Sequence, residues 1–138
     1  MITSINWFPA ALLSLLCFGL WGFFAKMAVT YIDAKSALFY QALGITFIGL
    51  VILVMLKFKP AAEFKGINFA FLSGIVNGLG LLLYLVAADR GKITSVVTLT
   101  GLYPLITIFL AFAIIHESIS ARQGVGIVMA LAAIYLLS

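Results

Sequence analysis

The side chains that could do chemistry in this chain are few, and their chemistry is binding rather than bond-making. Lys26 is the only ionisable residue placed clearly inside an apolar run. An ammonium there can hold a carboxylate or a phosphate, because burying it unpaired in a bilayer is costly. It also lies about one helical turn from the end of that run, where a long side chain can snorkel to the headgroups. Both roles stay open. Farther along, Ser73, Asn77, Gly80 and Tyr84 recur at i, i+4, i+7 and i+11, a single polar stripe down one helix face. An amide at the depth of Asn77 must meet protein or water, since lipid cannot satisfy it. Interhelical hydrogen bonding and the lining of a water-filled path both meet that demand. A third cluster, Thr100, Tyr103, Pro104 and Thr107, falls in mid-run. Lys26, Asn77, Tyr84, Tyr103 and Thr107 are thus the candidate contacts for a small solute.

Other residues read as structural. Pro104 has no backbone N–H, so it must kink its helix and free the carbonyl of Thr100, as a hinge or as a packing device. Glu117, Ser118 and Ser120 form a polar corner whose serines are ready helix N-caps. An acidic group there is stabilised by the helix dipole, and proton coupling is its alternative role. His116 beside it could titrate near neutral pH, or simply be solvated. Gly126, Ala130 and Ala133 make a small-residue face suited to close helix packing, including packing in a dimer. Cys17, the single cysteine, lies in an apolar run, and with the lone His116 distant in sequence it makes no metal site. No Asp or Glu sits at mid-depth for cation antiport. A phosphate-binding glycine loop, an HExxH pair and a Ser/His/Asp set are all missing, so neither an enzyme nor an ATP-driven pump is expected, and no cofactor.

The elements that must position these residues are apolar helices. The chain of 138 residues is 65% hydrophobic and 9% charged, against about 25% charged in soluble domains. Such a chain cannot cover a water-facing globule, and lipid is the solvent that fits it. The net charge of +4 is spread over short links with no basic patch, so anionic headgroups rather than nucleic acid are the expected partner. A bilayer core needs roughly 20 apolar residues per helix, and five runs meet that need. They are Trp7 to Thr30, Ser36 to Leu56, Gly66 to Ala88, Ile93 to Ile115 and Ala121 to Leu137, with charged links between them. The last two form a tight transmembrane hairpin, and residues 1–138 read as one all-α, five-helix bundle. The first run lacks a basic flank and is too long for the apolar part of a cleavable signal.

Five spans would place the termini on opposite sides. Lys57, Lys59, Lys65 and Arg122 then share one face, against Lys35, Arg90 and Lys92 on the other, with Lys26 joining them if it snorkels. So small a bias hardly sets an orientation, although it leans toward a cytoplasmic N-terminus. Oppositely inserted copies would form an inverted pair, the architecture many secondary transporters build within one chain.

Several segments resemble the EamA domain of the drug/metabolite transporter superfamily. They are Trp21-Gly22 with Lys26, Gly101-Leu102-Tyr103-Pro104, and Glu117-Ser118-Ile119-Ser120 with Gln123-Gly124. The resemblance spans essentially the whole chain and is tightest in the last two helices. Many members carry an Arg early in the second helix, where this chain has Gln41. The resemblance implies a small-solute carrier or exporter, multi-pass in the cytoplasmic membrane of a prokaryote. Most members hold two such domains in inverted orientation with the substrate path between them. One domain alone implies half of an inverted-repeat transporter, acting as an antiparallel homodimer or with a similar chain. The acidic residue that small multidrug resistance proteins carry in their first helix is missing, which lowers a multidrug-cation reading. A non-transporting membrane scaffold or accessory subunit, and a lipid-carrier flippase subunit, are the alternatives.

Overall fold

The computed structural model describes residues 6–116 and 118–137. Among them the fold is all-α. The helices are α1 (Trp7–Tyr31), α2 (Ala34–Met55), α3 (Phe64–Arg90), α4 (Ile93–Thr100), α5 (Tyr103–Leu110) and α6 (Ala121–Leu137), with one π-helical turn at Ala111–Ile115 after α5. Four stretches are long and apolar enough to cross a bilayer: α1, α2, α3 and Ile93–Ile115; α6 is apolar but shorter. A helix satisfies every backbone group within its own segment, which is why lipid selects it for such runs. By contacts the chain falls into two units, Met1–Arg90 and Gly91–Ser138.

In the first unit α1, α2 and α3 run alternately up and down. The corner between α1 and α2 is only Ile32 and Asp33, tighter than the expected link from Thr30 to Ser36. Asp33 is the reason: its carboxylate accepts the N–H groups of Lys35 and Ser36, each at 3.1 Å, and the Ser36 hydroxyl at 2.6 Å. That N-cap lets α2 begin two residues early. These bonds also hold the Asp33 carboxyl below its ordinary value of 3.8, the Ser36 hydroxyl contributing most. At the far end, α2 closes with Phe58 N–H to the Leu53 carbonyl at 3.0 Å and Lys57 N–H to the Val54 carbonyl at 2.9 Å. This double bond pattern needs a left-handed residue, usually glycine. Here Lys57 and Phe58 take it with φ of 52° and 56°, before Pro60 bars any continuation.

The core of this unit lies at one end. Its buried residues are Gly22, Ala25 and Val29 near the end of α1, Ala34 and Ala37 at the start of α2, and Leu81, Tyr84, Leu85 and Ala88 in the last turns of α3. Five of these nine are Gly or Ala, so backbones approach closely where the short α1–α2 corner forces them together. Toward the opposite end of the three helices the side chains are almost all exposed.

In the second unit the fourth span is broken rather than merely kinked. Pro104 cannot donate to the Thr100 carbonyl, and the backbone shortens its bonds there. Gly101 N–H reaches the Val97 carbonyl at 2.8 Å, and Leu102 and Leu105 make three-residue bonds to Leu99 and Leu102 at 3.2 and 3.0 Å. Pro104 thereby falls in the first turn of α5, where its missing N–H has no partner to lose. Gly101 fits because a Cβ there would sit 3.0 Å from the Val97 oxygen and 3.3 Å from that of Thr98. The π-helical turn ends at His116, whose left-handed backbone (φ 56°, ψ 33°) sends its N–H to the Ala111 carbonyl. α6 packs on α4. No described residue of this unit is buried.

Candidate functional site

Lys26 reaches out of α1 to α3. Its Nζ donates to the carbonyl of Ala88 at 2.6 Å, a contact half-buried between helices. Ala88 lies in the last turn of α3, where carbonyls have no partner within the helix and the dipole end is negative. Ala88 itself is fully buried, so water cannot replace the ammonium. One turn earlier on both helices, Trp21 and Gly22 meet Tyr84. The rings of Trp21 and Tyr84 lie 4.7 Å apart at a 38° tilt. A Cβ on Gly22 would stand 3.4 Å from the Tyr84 hydroxyl, in van der Waals contact with it.

Among the described residues of this unit, two side-chain atoms are enclosed without a hydrogen-bond partner: the Tyr84 hydroxyl and the side-chain oxygen of Gln41. Gln41 follows Ala34 and Ala37 at i+7 and i+4, on the face that α2 packs inward. Enclosed polar groups are nearly always paired, so two orphans in one small core ask for an explanation.

The polar stripe of α3 divides in two. Tyr84 is packed, whereas Ser73, Asn77 and Gly80 on the same face are exposed. Asn77 stands at the midpoint of α3, and its side chain takes part in no hydrogen bond among the described residues. The structure thus places Lys26 and Tyr84 in neighbouring α1–α3 contacts one turn apart and leaves Asn77 on the open part of the α3 stripe.

Tyr103 and Thr107 belong to the second unit, where both are exposed and the Thr107 hydroxyl donates to the Tyr103 carbonyl at 3.4 Å. The Thr100 hydroxyl is likewise turned back, to the Val96 carbonyl at 2.7 Å. Ser120 caps α6 reciprocally with Gln123: the Gln123 oxygen accepts the Ser120 N–H and hydroxyl, both at 2.8 Å, and Gln123 N–H donates to Ser120 Oγ at 3.3 Å. Ser118 instead lines a shallow groove of about 340 Å³ along with Ile108, Phe112, Gly126 and Ala130. Two members of the small-residue face therefore look onto this groove, and Ala133 is exposed one turn beyond. Glu117 lies outside the described residues.

Sequence reasoning passed over two partners. The acceptor of Lys26 is a backbone carbonyl, which has no residue-type signature. The Asp33 cap does have a sequence signature, an Asp three residues before Ser36 at the head of an apolar run.

Four bilayer-length apolar helices, a fifth shorter one and polar groups confined to helix faces define a multi-pass membrane protein. The chain belongs to the EamA-like transporter family, which it matches over residues 5–138. It is also similar to an uncharacterised protein of Methanocaldococcus jannaschii, 30% identical over 125 residues that make up 88% of each chain. No solved structure matches it.

Proposed function

We propose that the chain is one half of a secondary transporter that exports small metabolites or drugs across the cytoplasmic membrane by alternating access. The observation that carries this reading is Asn77, an exposed amide without a partner at the middle of a bilayer-length helix. Lipid cannot satisfy it, so a second chain or a water-filled path must cover that face. A second copy in the opposite orientation supplies both. The near-equal distribution of Lys and Arg over the two membrane faces agrees with such dual insertion. The absence of buried residues in Gly91–Ser138, among those described, points the same way: its apolar faces await lipid or a partner.

In this reading Lys26, Asn77, Tyr84, Tyr103 and Thr107 contact solute. The break at Gly101–Leu102 ahead of Pro104 is the hinge, and Gly126, Ala130 and Ala133 take part in dimer packing. The family supports transport as the activity; solute, direction and pairing are the proposal. The test is C-terminal topology, read with paired reporters active only inside or only outside the cell. Signal from both supports the antiparallel homodimer. Signal from one alone removes it and sends the search to an oppositely oriented partner chain.

A further inference from the structure

We infer that the cleft between the α1–α2 corner and the end of α3 is a lipid-headgroup site. It is selective for a head that joins a phosphate to a primary ammonium, as in phosphatidylethanolamine. This site lies beyond the transporter reading and does not depend on it.

The cleft is open, holds about 330 Å³, and is lined by Asp33, Ala34, Lys35, Val86, Asp89 and Arg90. Its depth follows from chain order. Asp33 links α1 to α2, Lys35 lies in the first turn of α2, and Asp89 and Arg90 close α3. All three helices are long and apolar enough to span a bilayer, so their ends come to the headgroup layer. The exposed Tyr31 at the end of α1 fits that depth, since tyrosine is enriched where hydrocarbon meets headgroups. Exposed apolar residues continue from the cleft toward mid-membrane. Leu83 and Leu79 stand three and seven residues before Val86 on one face of α3, and Phe39 stands one turn after Lys35 on α2. An occupant with acyl chains meets both the cleft and these side chains, whereas a soluble one meets only the cleft.

The charges select the head. Each side of the cleft offers one acid and one base: Asp33 and Lys35 from the start of α2, Asp89 and Arg90 from the end of α3. None of the four takes part in an ion pair among the described residues. The Asp33 carboxylate is pinned by the N–H groups of Lys35 and Ser36 and by the Ser36 hydroxyl, which keeps it from swinging toward a base. A ligand that carries both signs can answer both sets at once. Lysine and arginine donate to phosphate oxygens, arginine through its planar fork. A primary ammonium has three N–H donors to give, and the ionised Asp89 is acceptor only. A choline head has no N–H to offer. A glycerol head is neutral, so its lipid brings only the phosphate charge and leaves both acids unanswered. The whole chain, at +4, favours anionic lipid, and this cleft departs from that preference.

The test uses the whole chain in nanodiscs holding equal parts of phosphatidylethanolamine, phosphatidylcholine and phosphatidylglycerol with identical acyl chains. Native mass spectrometry then counts the lipids that each released chain retains. The expected result is one retained phosphatidylethanolamine per chain, favoured about threefold or more over each of the others, the scale of an exposed ion pair. Asp89→Asn should bring phosphatidylethanolamine down to the level of phosphatidylcholine. Lys35→Gln should lower retention of phosphatidylethanolamine about threefold, and Lys59→Gln, in the α2–α3 link, should leave the parent's pattern unchanged. Asp89 and Lys35 are exposed and lie on different helices. If circular dichroism shows that one variant fails to fold, the other carries the test. Free phosphoethanolamine at millimolar concentration should not displace the retained lipid. The proposal is overturned if phosphatidylglycerol is retained as well as phosphatidylethanolamine, or if the folded variants keep the parent's preference. Displacement by free phosphoethanolamine would also overturn it, because it marks a site for a soluble ligand. The transporter reading survives each of these failures.

Discussion

Replacing Lys26 by methionine separates the two costs that meet at the Ala88 carbonyl. Methionine keeps the apolar stem and deletes the ammonium, so the 2.6 Å bond is lost. Ala88 is fully buried, and its carbonyl has no water to turn to. A buried acceptor left unpaired costs about 1–3 kcal/mol, and the lost cation at the negative helix end adds roughly 0.3–1 kcal/mol. Against this stands the relief of desolvating a charge, up to about 2.5–3.5 kcal/mol at the bilayer centre. Lys26 sits only five residues from the end of α1, so most of that relief does not apply. The net expectation is a loss of about 1–2 kcal/mol, or a factor of roughly 5–30 in the folded-to-unfolded ratio. The assay is reversible unfolding in mixed micelles of increasing SDS fraction, without added solute. Hydrogen exchange should show the loss concentrated in the last turn of α3, and Lys26→Arg should recover part of it. A Lys26→Met protein as stable as the parent, or more stable, would refute the reasoning and show that desolvation outweighs the bond.

Other perturbations test other parts. Gly101→Ala should destabilise the Gly91–Ser138 unit by about 1–3 kcal/mol, since a methyl would press on the Val97 oxygen at 3.0 Å and the backbone must yield; unchanged SDS unfolding would contradict this. Lys57→Gly should stabilise α2 by about 1 kcal/mol, because Lys57 holds a left-handed φ of 52° that glycine adopts freely; a lower thermal midpoint would count against it. The Asp33 carboxyl is held below 3.8, so its cap is at full strength above the unfolded value and is lost as pH falls through the lower folded one. Protection of the Lys35 and Ser36 amides, normalised to intrinsic exchange, should therefore fall only below about pH 4. In Asp33→Asn, which caps without titrating, it should not fall. Ser120→Ala should loosen the first turn of α6 by about 1 kcal/mol, seen as faster exchange at Gln123.

Much of this architecture was legible in the sequence, because a bilayer leaves so few solutions. Apolar runs broken by charged links admit only helices, and the stretches beginning at Trp7, Ile93 and Ala121 follow directly, while the run expected from Gly66 to Ala88 extends to Phe64–Arg90. Pro104 marked the weak point of the fourth span, although Gly101 was needed to turn a kink into a break. What stayed hidden depends on register between helices. Nothing in the letters says that Lys26 meets Ala88, that Trp21 stacks on Tyr84, or that the α3 stripe is packed at Tyr84 and open at Asn77. The left-handed ends at Lys57 and His116 were equally unreadable, since neither residue is glycine. Local propensity gave no sign of the π-helical turn at Ala111–Ile115.

The most direct test of a solute path along α3 is solvent access at its midpoint. With the native Cys17 replaced by alanine, Asn77→Cys is exposed in native membranes to a membrane-impermeant maleimide, and Ile75→Cys, exposed at nearly the same depth on the opposite face of α3, serves as the lipid-face control. A water-filled path predicts rapid labelling at position 77 and none at position 75. Equal silence at both positions would mean that the Asn77 face is sealed by protein or lipid, and the transport path along α3 would be wrong.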